Sequence, residues 1–342
     1  MIDERKKQVL HAIVKDYVST AEPVGSRTIA KKYDLGVSSA TIRNEMSDLE
    51  EMGLIEQPYT SAGRIPSDKG YRFYVDYLME KEELNADEIN NIKMCFAKRL
   101  HELDELVQET CQMLSHLTKY TALVLVPKRS EGKLETIQMV SVSPHRVLVL
   151  IITDTGFINH RIIDLGKPID SSRLQEINNL LQQKLYGLSI EQVNRTLLRE
   201  ISHQIVRQEQ LLDLALELME QALLESGDER VFTGGALNML NQPEFRDVEK
   251  VKTLLGILEE EETIKKLLHK QLGEGTEIYI GGEIPFEGIN KCSVITGTYK
   301  VNGRVVGSIG VLGPTRMTYP KAVSIVEIVT DQLSQVLAQM FR

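Results

Sequence analysis

The chain has 342 residues, with 40 Lys and Arg against 49 Asp and Glu, for a formal charge of −9. This length exceeds one ordinary domain and predicts two or three, while the acidic balance favours solubility over a membrane-surface role. No apolar run approaches the roughly twenty residues of a spanning helix, and the charged N-terminus is unlike a signal peptide, so the expected compartment is the cytoplasm and no membrane partner is expected.

In chain order, residues 3–20 carry Val9, Leu10, Ile13, Val14 and Tyr17 at helical spacing. Ser26 can cap a second, short helix with Ile29 and Ala30 inward and Arg27, Lys31 and Lys32 outside. "YDLG" then reads as a tight link, with Gly36 taking the left-handed conformation. Next comes "VSSATIRNEMSDLEEMGLIEQ" (37–57). Ser38 or Ser39 is its N-cap, Ile42, Met46 and Leu49 form one stripe, and Gly53 supplies the stop. Its outward face holds Ala40, Arg43, Asn44 and Ser47, and its carboxylates Asp48, Glu50 and Glu51 come last. The helix macrodipole prefers the reverse order. A helix entering a DNA major groove N-terminus first, with carboxylates held clear of phosphate, accounts for the inversion.

"LIEQPYTSAGRIPSDKG" follows, with two short extended runs joined by a polar turn at Ser61, Ala62 and Gly63. This predicts a hairpin, or wing, with Arg64 near its tip. Pro66 and Ser67 launch a further helix in which Tyr71, Val75 and Leu78 share a face. Three helices and a wing form a winged helix-turn-helix over residues 1–83. Such patterns also serve as protein-docking modules, and residues 1–80 hold eleven Lys and Arg against thirteen Asp and Glu. Placement favours DNA: Arg27, Lys31, Lys32, Arg43, Arg64, Lys69 and Arg72 all fall in the segments that would face it.

Residues 84–119 predict one long connecting helix, whose stripe from Ile89 to Leu117 spans about 50 Å. On one helix Cys95 and Cys111 would stand about 24 Å apart, beyond disulfide reach, and with Cys292 they read as packed thiols. The period then changes to strands at 120–127, 136–142, 145–154 and 156–164, and again at 276–283, 292–301 and 304–313. Asn302 and Gly303 signal a hairpin between the last two. One antiparallel sheet built from both groups, interrupted by a helical insertion and closed by a helix from Pro320 to Phe341, is the economical plan. It matches a GAF-like domain. Within the insertion, residues 197–226 predict a helix with a broad apolar stripe around Leu212, Leu216 and Met219, suited to a core or to self-association.

Catalysis finds little foothold. The seven histidines are scattered, no metal-ligand spacing is visible, and "GSIGVLG" (307–313) reads as close-packed strand rather than a phosphate loop. No cofactor, metal or catalytic residue is expected. "GPTRMTYP" (313–320) stands out through Arg316 and Tyr319, and a turn into the last helix explains it equally well.

Three blocks, "YTSAGRIPSDKGYRFYVDYL", "TGGALNMLNQPEF" and "GSIGVLGPTRMTYP", together resemble the heat-inducible transcription repressor family HrcA across essentially the whole chain. The resemblance implies an α+β, multidomain protein: a winged helix-turn-helix (1–83), a connecting helix (84–119), a discontinuous GAF-like domain (120–167 and 233–342), and an inserted dimerising domain (168–232). It implies a homodimer that binds an inverted-repeat operator before chaperone operons and folds with help from the chaperonin. By motif position, Ser39, Thr41, Arg43 and Asn44 become groove readers, Arg27 and Arg64 contact backbone or minor groove, and Lys31 joins them as a DNA-binding residue. Leu212, Leu216 and Met219 become the expected dimer seam. Two rival classes are an effector-responsive regulator with a ligand in the GAF-like sheet and an enzyme localised by a helix-turn-helix.

Overall fold

The computed structural model describes residues 2–97, 103–126, 133–154, 158–165, 168, 170–189, 229–245, 247–269, 275–286, 288–301 and 303–340. They fall into two compact units. One comprises Met1–Leu125, Val231–Tyr299 and Gly307–Leu333; the other comprises Val126–Arg230, Lys300–Val306 and Ser334–Arg342.

The first unit begins with α1 (Glu4–Thr20), α2 (Ser26–Lys32) and α3 (Ser39–Glu51). Asp3 caps α1 by accepting from the Lys6 amide, and Ser38 caps α3 by accepting from that of Thr41. Val9, Leu10, Ile13, Ile29, Ile42 and Leu49 are buried between these helices. Each such side chain stabilises the module by roughly 1.5–3 kcal/mol. At the end of α3, Gly53 sits at φ 75°, its amide donates to the Glu50 carbonyl, and that of Leu54 donates to Leu49. This left-handed stop turns the chain into β1 (Ile55–Glu56), which pairs antiparallel with β2 (Ile65–Pro66). The wing is followed by α4 (Asp68–Phe73), which runs into a π-helical turn at Tyr74–Leu78. Ser67 fixes that junction: its hydroxyl donates to Gly53 O (2.6 Å) and accepts from Gly70 N (3.1 Å).

The single helix expected over 84–119 is two, α5 (Ala86–Ala97) and α6 (Leu103–Thr118), packed on each other. Cys95 Sγ lies 3.8 Å from Glu109 Oε2, whereas fourteen residues of straight helix span about 21 Å. A straight helix would leave its apolar stripe uncovered. Packed as two, Ile92, Phe96, Leu106, Val107 and Leu114 are buried. None of the three cysteines is in a disulfide. Burial raises the thiols of Cys111 and Cys292 to about 12, which suits packing and not nucleophilic chemistry.

The one sheet expected from both groups of strands is also two. A five-stranded sheet has the order β7-β3-β10-β9-β8, from β3 (Thr121–Val126), β7 (Arg230–Gly234), β8 (Thr276–Ile280), β9 (Cys292–Val301) and β10 (Arg304–Pro314). β3 and β10 pair antiparallel, with Leu125 opposite Ser308. Helices α8 (Val248–Glu259) and α9 (Glu261–His269) cover one face: Leu254, Ile264, Leu267 and Leu268 cluster with Leu123, Leu125 and Val294. Helix α10 (Tyr319–Met340) packs near Gly297 on the other face, with Val323, Val326, Val329 and Leu333 buried. Covering both faces explains why every residue of β3 is buried and why it reads as an unbroken apolar run. The glycines at 307, 310 and 313 lie within β10.

The remaining strands of the first group, β4 (Leu134–Ser143), β5 (Arg146–Thr153) and β6 (Ile158–Asp164), form a separate three-stranded sheet in the second unit among the described residues. Helix α7 (Ser171–Leu185) packs against β4. Asn178 and Gln182, one helical turn apart, hydrogen-bond the backbone amides of Met139 (2.7 Å) and Ile137 (2.9 Å). Their amide groups also donate to the carbonyls of Met139 and Glu135. At these positions the β4 edge is satisfied by a helix of its own unit. The helix expected over 197–226, with Leu212, Leu216 and Met219, lies outside the described residues.

Candidate nucleic-acid interface

Helices α1, α2 and α3 pack pairwise, with Ile29 and Ile42 inside. The same helices carry Arg27 and Lys31 on α2, and Arg43 and Asn44 on α3, on exposed sides. Among the described residues Arg27, Lys31 and Arg43 form no salt bridge. Ser39 and Thr41 are half-buried, and the Thr41 hydroxyl lies 3.0 Å from that of the capping Ser38. The first turn of α3 thus spends part of its hydroxyl chemistry on its own cap.

The acidic end of α3 is accounted for by its neighbours. Lys6 of α1 contacts Glu45 (2.9 Å), Asp48 (3.0 Å) and its own capping Asp3 (3.1 Å). Hydrogen bonds to Glu45, Asp48 and Asp3 hold its pKa above the usual lysine value. Arg5 adds a longer contact to Glu45, at 3.8 Å. Glu50 is held by Arg64, whose Nε and Nη2 lie 2.9 and 2.8 Å from Oε2. Glu45, Asp48 and Glu50 face cations of their own module, and Glu51 stays exposed in the last turn, so the first half of α3 presents a neutral-to-basic surface despite the helix's composition.

Arg64 therefore does not stand at the wing tip. Its backbone exchanges two 2.8 Å hydrogen bonds with Val24, and its guanidinium reaches back to the end of α3. The tip consists of Tyr59, Thr60 and Ser61, all exposed. Gln57 shapes it by donating to the carbonyls of Thr60 (3.0 Å) and Ala62 (3.1 Å). Tyr59 escaped the sequence reading; the sign of it was an aromatic residue inside the polar turn "QPYTSAG". Lys32 is also engaged, 2.6 Å from Asp16, and this bond raises its pKa.

Three helices, a short wing and an exposed, cation-bearing reading helix define a winged helix-turn-helix DNA-binding protein. Residues 1–76 match the family model for the winged helix-turn-helix transcription repressor, HrcA DNA-binding domain, and residues 104–323 match the HrcA protein C terminal domain. The chain belongs to the heat-inducible transcription repressor family HrcA. It is 51% identical over 342 residues to the heat-inducible transcription repressor HrcA of Pelotomaculum thermopropionicum, covering all of this chain and 98% of that one. The corresponding repressor of Carboxydothermus hydrogenoformans is 47% identical, over 98% of both chains. A crystal structure described only as a hypothetical protein shares the fold at TM-score 0.68 and 26% identity, covering 99% of this chain and 100% of that one. Among the described residues no helix is long and apolar enough to cross a membrane.

Proposed function

We propose that this repressor acts as a cytoplasmic homodimer on an inverted-repeat operator ahead of chaperone operons, and that its active fraction is set by chaperonin-assisted folding. The observation that carries the DNA reading is α3 itself: an exposed Arg43 and Asn44 in its first half, and Glu45, Asp48 and Glu50 paired with Lys6 and Arg64. A single winged helix reads few base pairs, so an inverted repeat calls for two. The seam is assigned to the inserted domain, residues 168–232, with Leu212, Leu216 and Met219 at its centre. Leu216→Glu should give a folded monomer with weak operator binding; a full-affinity dimer in sedimentation moves the seam elsewhere.

The topology supports dependence on chaperonin. Leu125 pairs with Ser308, so the central sheet closes only across a very long loop, and non-local pairing of this kind folds slowly with apolar surface uncovered. When heat diverts the chaperonin to other clients, less repressor matures and the operons are released. The test is operator binding during refolding, with and without chaperonin and ATP. Chaperonin should raise the active fraction. Rapid, complete refolding without it removes this mechanism, and a ligand-driven switch in the GAF-like domain takes its place.

A further inference from the structure

The reading module is fastened to the five-stranded sheet by two arginines from opposite ends of the sequence. Both partners of each contact lie within the first compact unit. Arg72, at the end of α4, does not join the DNA-facing cations as the sequence suggested: it donates from Nε to Glu283 Oε1 at 2.8 Å, and its Nη2 reaches both Glu283 and the carbonyl of Ile278 on β8. Beside it Asp68 accepts from the Gly282 amide at 2.9 Å. A Cβ on Gly281, which sits at φ 54°, would fall 2.1 Å from that carboxylate, so the close approach needs glycine there. At the other fastening Arg316, just before α10, donates from Nη1 to the carbonyl of Val18 in the last turn of α1 at 2.8 Å. The same guanidinium pairs with Glu244 and reaches Gln242 at 3.1 Å. A cation on the carbonyl end of a helix is favourable, and this one is largely enclosed, with a side-chain exposure of 11%. Tyr71 of α4 and Tyr319 of α10, both buried, meet with ring centroids 5.9 Å apart and planes tilted by 51°, and Lys81 pairs with Glu327 at 2.6 Å.

These contacts hold α1 and α4 separately, so the module cannot pivot about either one. We propose that Arg72 and Arg316 are positioning residues for operator recognition: they fix the angle of the reading helix to the sheet, and that angle sets the half-site spacing the dimer accepts. The inference rests on the dimeric, inverted-repeat reading above. One added base pair turns a half-site by about 35° and shifts it by about 3.4 Å. A loosely tethered module follows such a change, and a clamped one does not.

The experiment measures full-length protein on inverted repeats whose spacer varies in single base pairs, and on a duplex with one half-site. Wild type should lose at least tenfold in affinity away from its best spacer. The Arg72→Ala/Arg316→Ala double variant should flatten that profile to under threefold while keeping half-site affinity within threefold. Glu283→Gln, which removes charge with little change of shape, should shift the profile in the same direction. A double variant with the wild-type profile overturns the inference alone. A wild type that prefers no paired site over a single one overturns the dimeric reading, and the inference falls with it. A second measurement needs no DNA. Nitroxides at Ala30→Cys and Leu237→Cys in a Cys95→Ser chain, diluted with unlabelled protein, should give one narrow distance in wild type and a broadened one in the double variant. An unchanged width in a double variant that still melts cooperatively also overturns it.

Discussion

The outward side of α2 and α3 and the sides of the winged helix turned toward its own unit use the same residue types in opposite ways. Arg27, Lys31 and Arg43 are exposed and without an ion pair among the described residues, whereas Arg64, Arg72 and Lys6 each contact carboxylates. A count of charges over the first 80 residues cannot see this, because it weighs a neutralised cation and a free one alike. What a polyanion meets is the unpaired set. The module can be acidic in sum and still offer a basic reading face.

Substitutions at single positions test the division. The largest effect belongs to Arg43→Ala, which should cost about 1–3 kcal/mol of operator binding and relax specificity at one position per half-site, with little change in melting temperature. Equal losses on operator and random duplexes would make Arg43 a phosphate contact. Arg64→Ala should show the converse: folding stability falls by up to about 1 kcal/mol, as fits a partly exposed pair, and base preference is retained. Loss of specificity without loss of stability would return Arg64 to the DNA side.

The smallest effect concerns His11, half-buried on α1, with its ring 5.7 Å from that of Tyr74. Burial, with Lys15 nearby, lowers its pKa against an opposing pull from Glu80. The unfolded chain therefore takes up this proton before the folded one does. Stability should fall as pH drops through about 6.5 and level off below the folded value. His11→Gln should remove that component between pH 7 and 5 in pH-dependent thermal melts; an unaltered slope assigns it to other groups.

Much of the reading module was legible because its determinants are local. Ser38, the Ile42–Met46–Leu49 stripe and Gly53 lie within sixteen residues and mark start, inner face and stop of α3. Arg64 was misplaced because its partner Glu50 sits fourteen residues away across a wing whose fold-back no periodicity encodes. Arg316 attracted notice without a role, since the carbonyl it holds is 298 residues distant. The strands of the first group were all recognisable. Their division between two sheets was not: Asn178 and Gln182 bond the β4 backbone, and a polar pair on a helix reads as solvated surface.

The sheet order also has a consequence in time. Both neighbours of β3 in the sheet, β7 and β10, leave the ribosome after it does. At about 5–20 residues per second, the interval between Leu125 and its partner Ser308 is roughly 10–40 s. For more than the first half of it "TALVLV", which is wholly buried in the finished protein, has neither of its final neighbours, and throughout it lacks β10. Whatever binds such a strand during those seconds competes with the chain's own later residues, so the yield of active repressor depends on how fast it is made as well as on how stable it becomes.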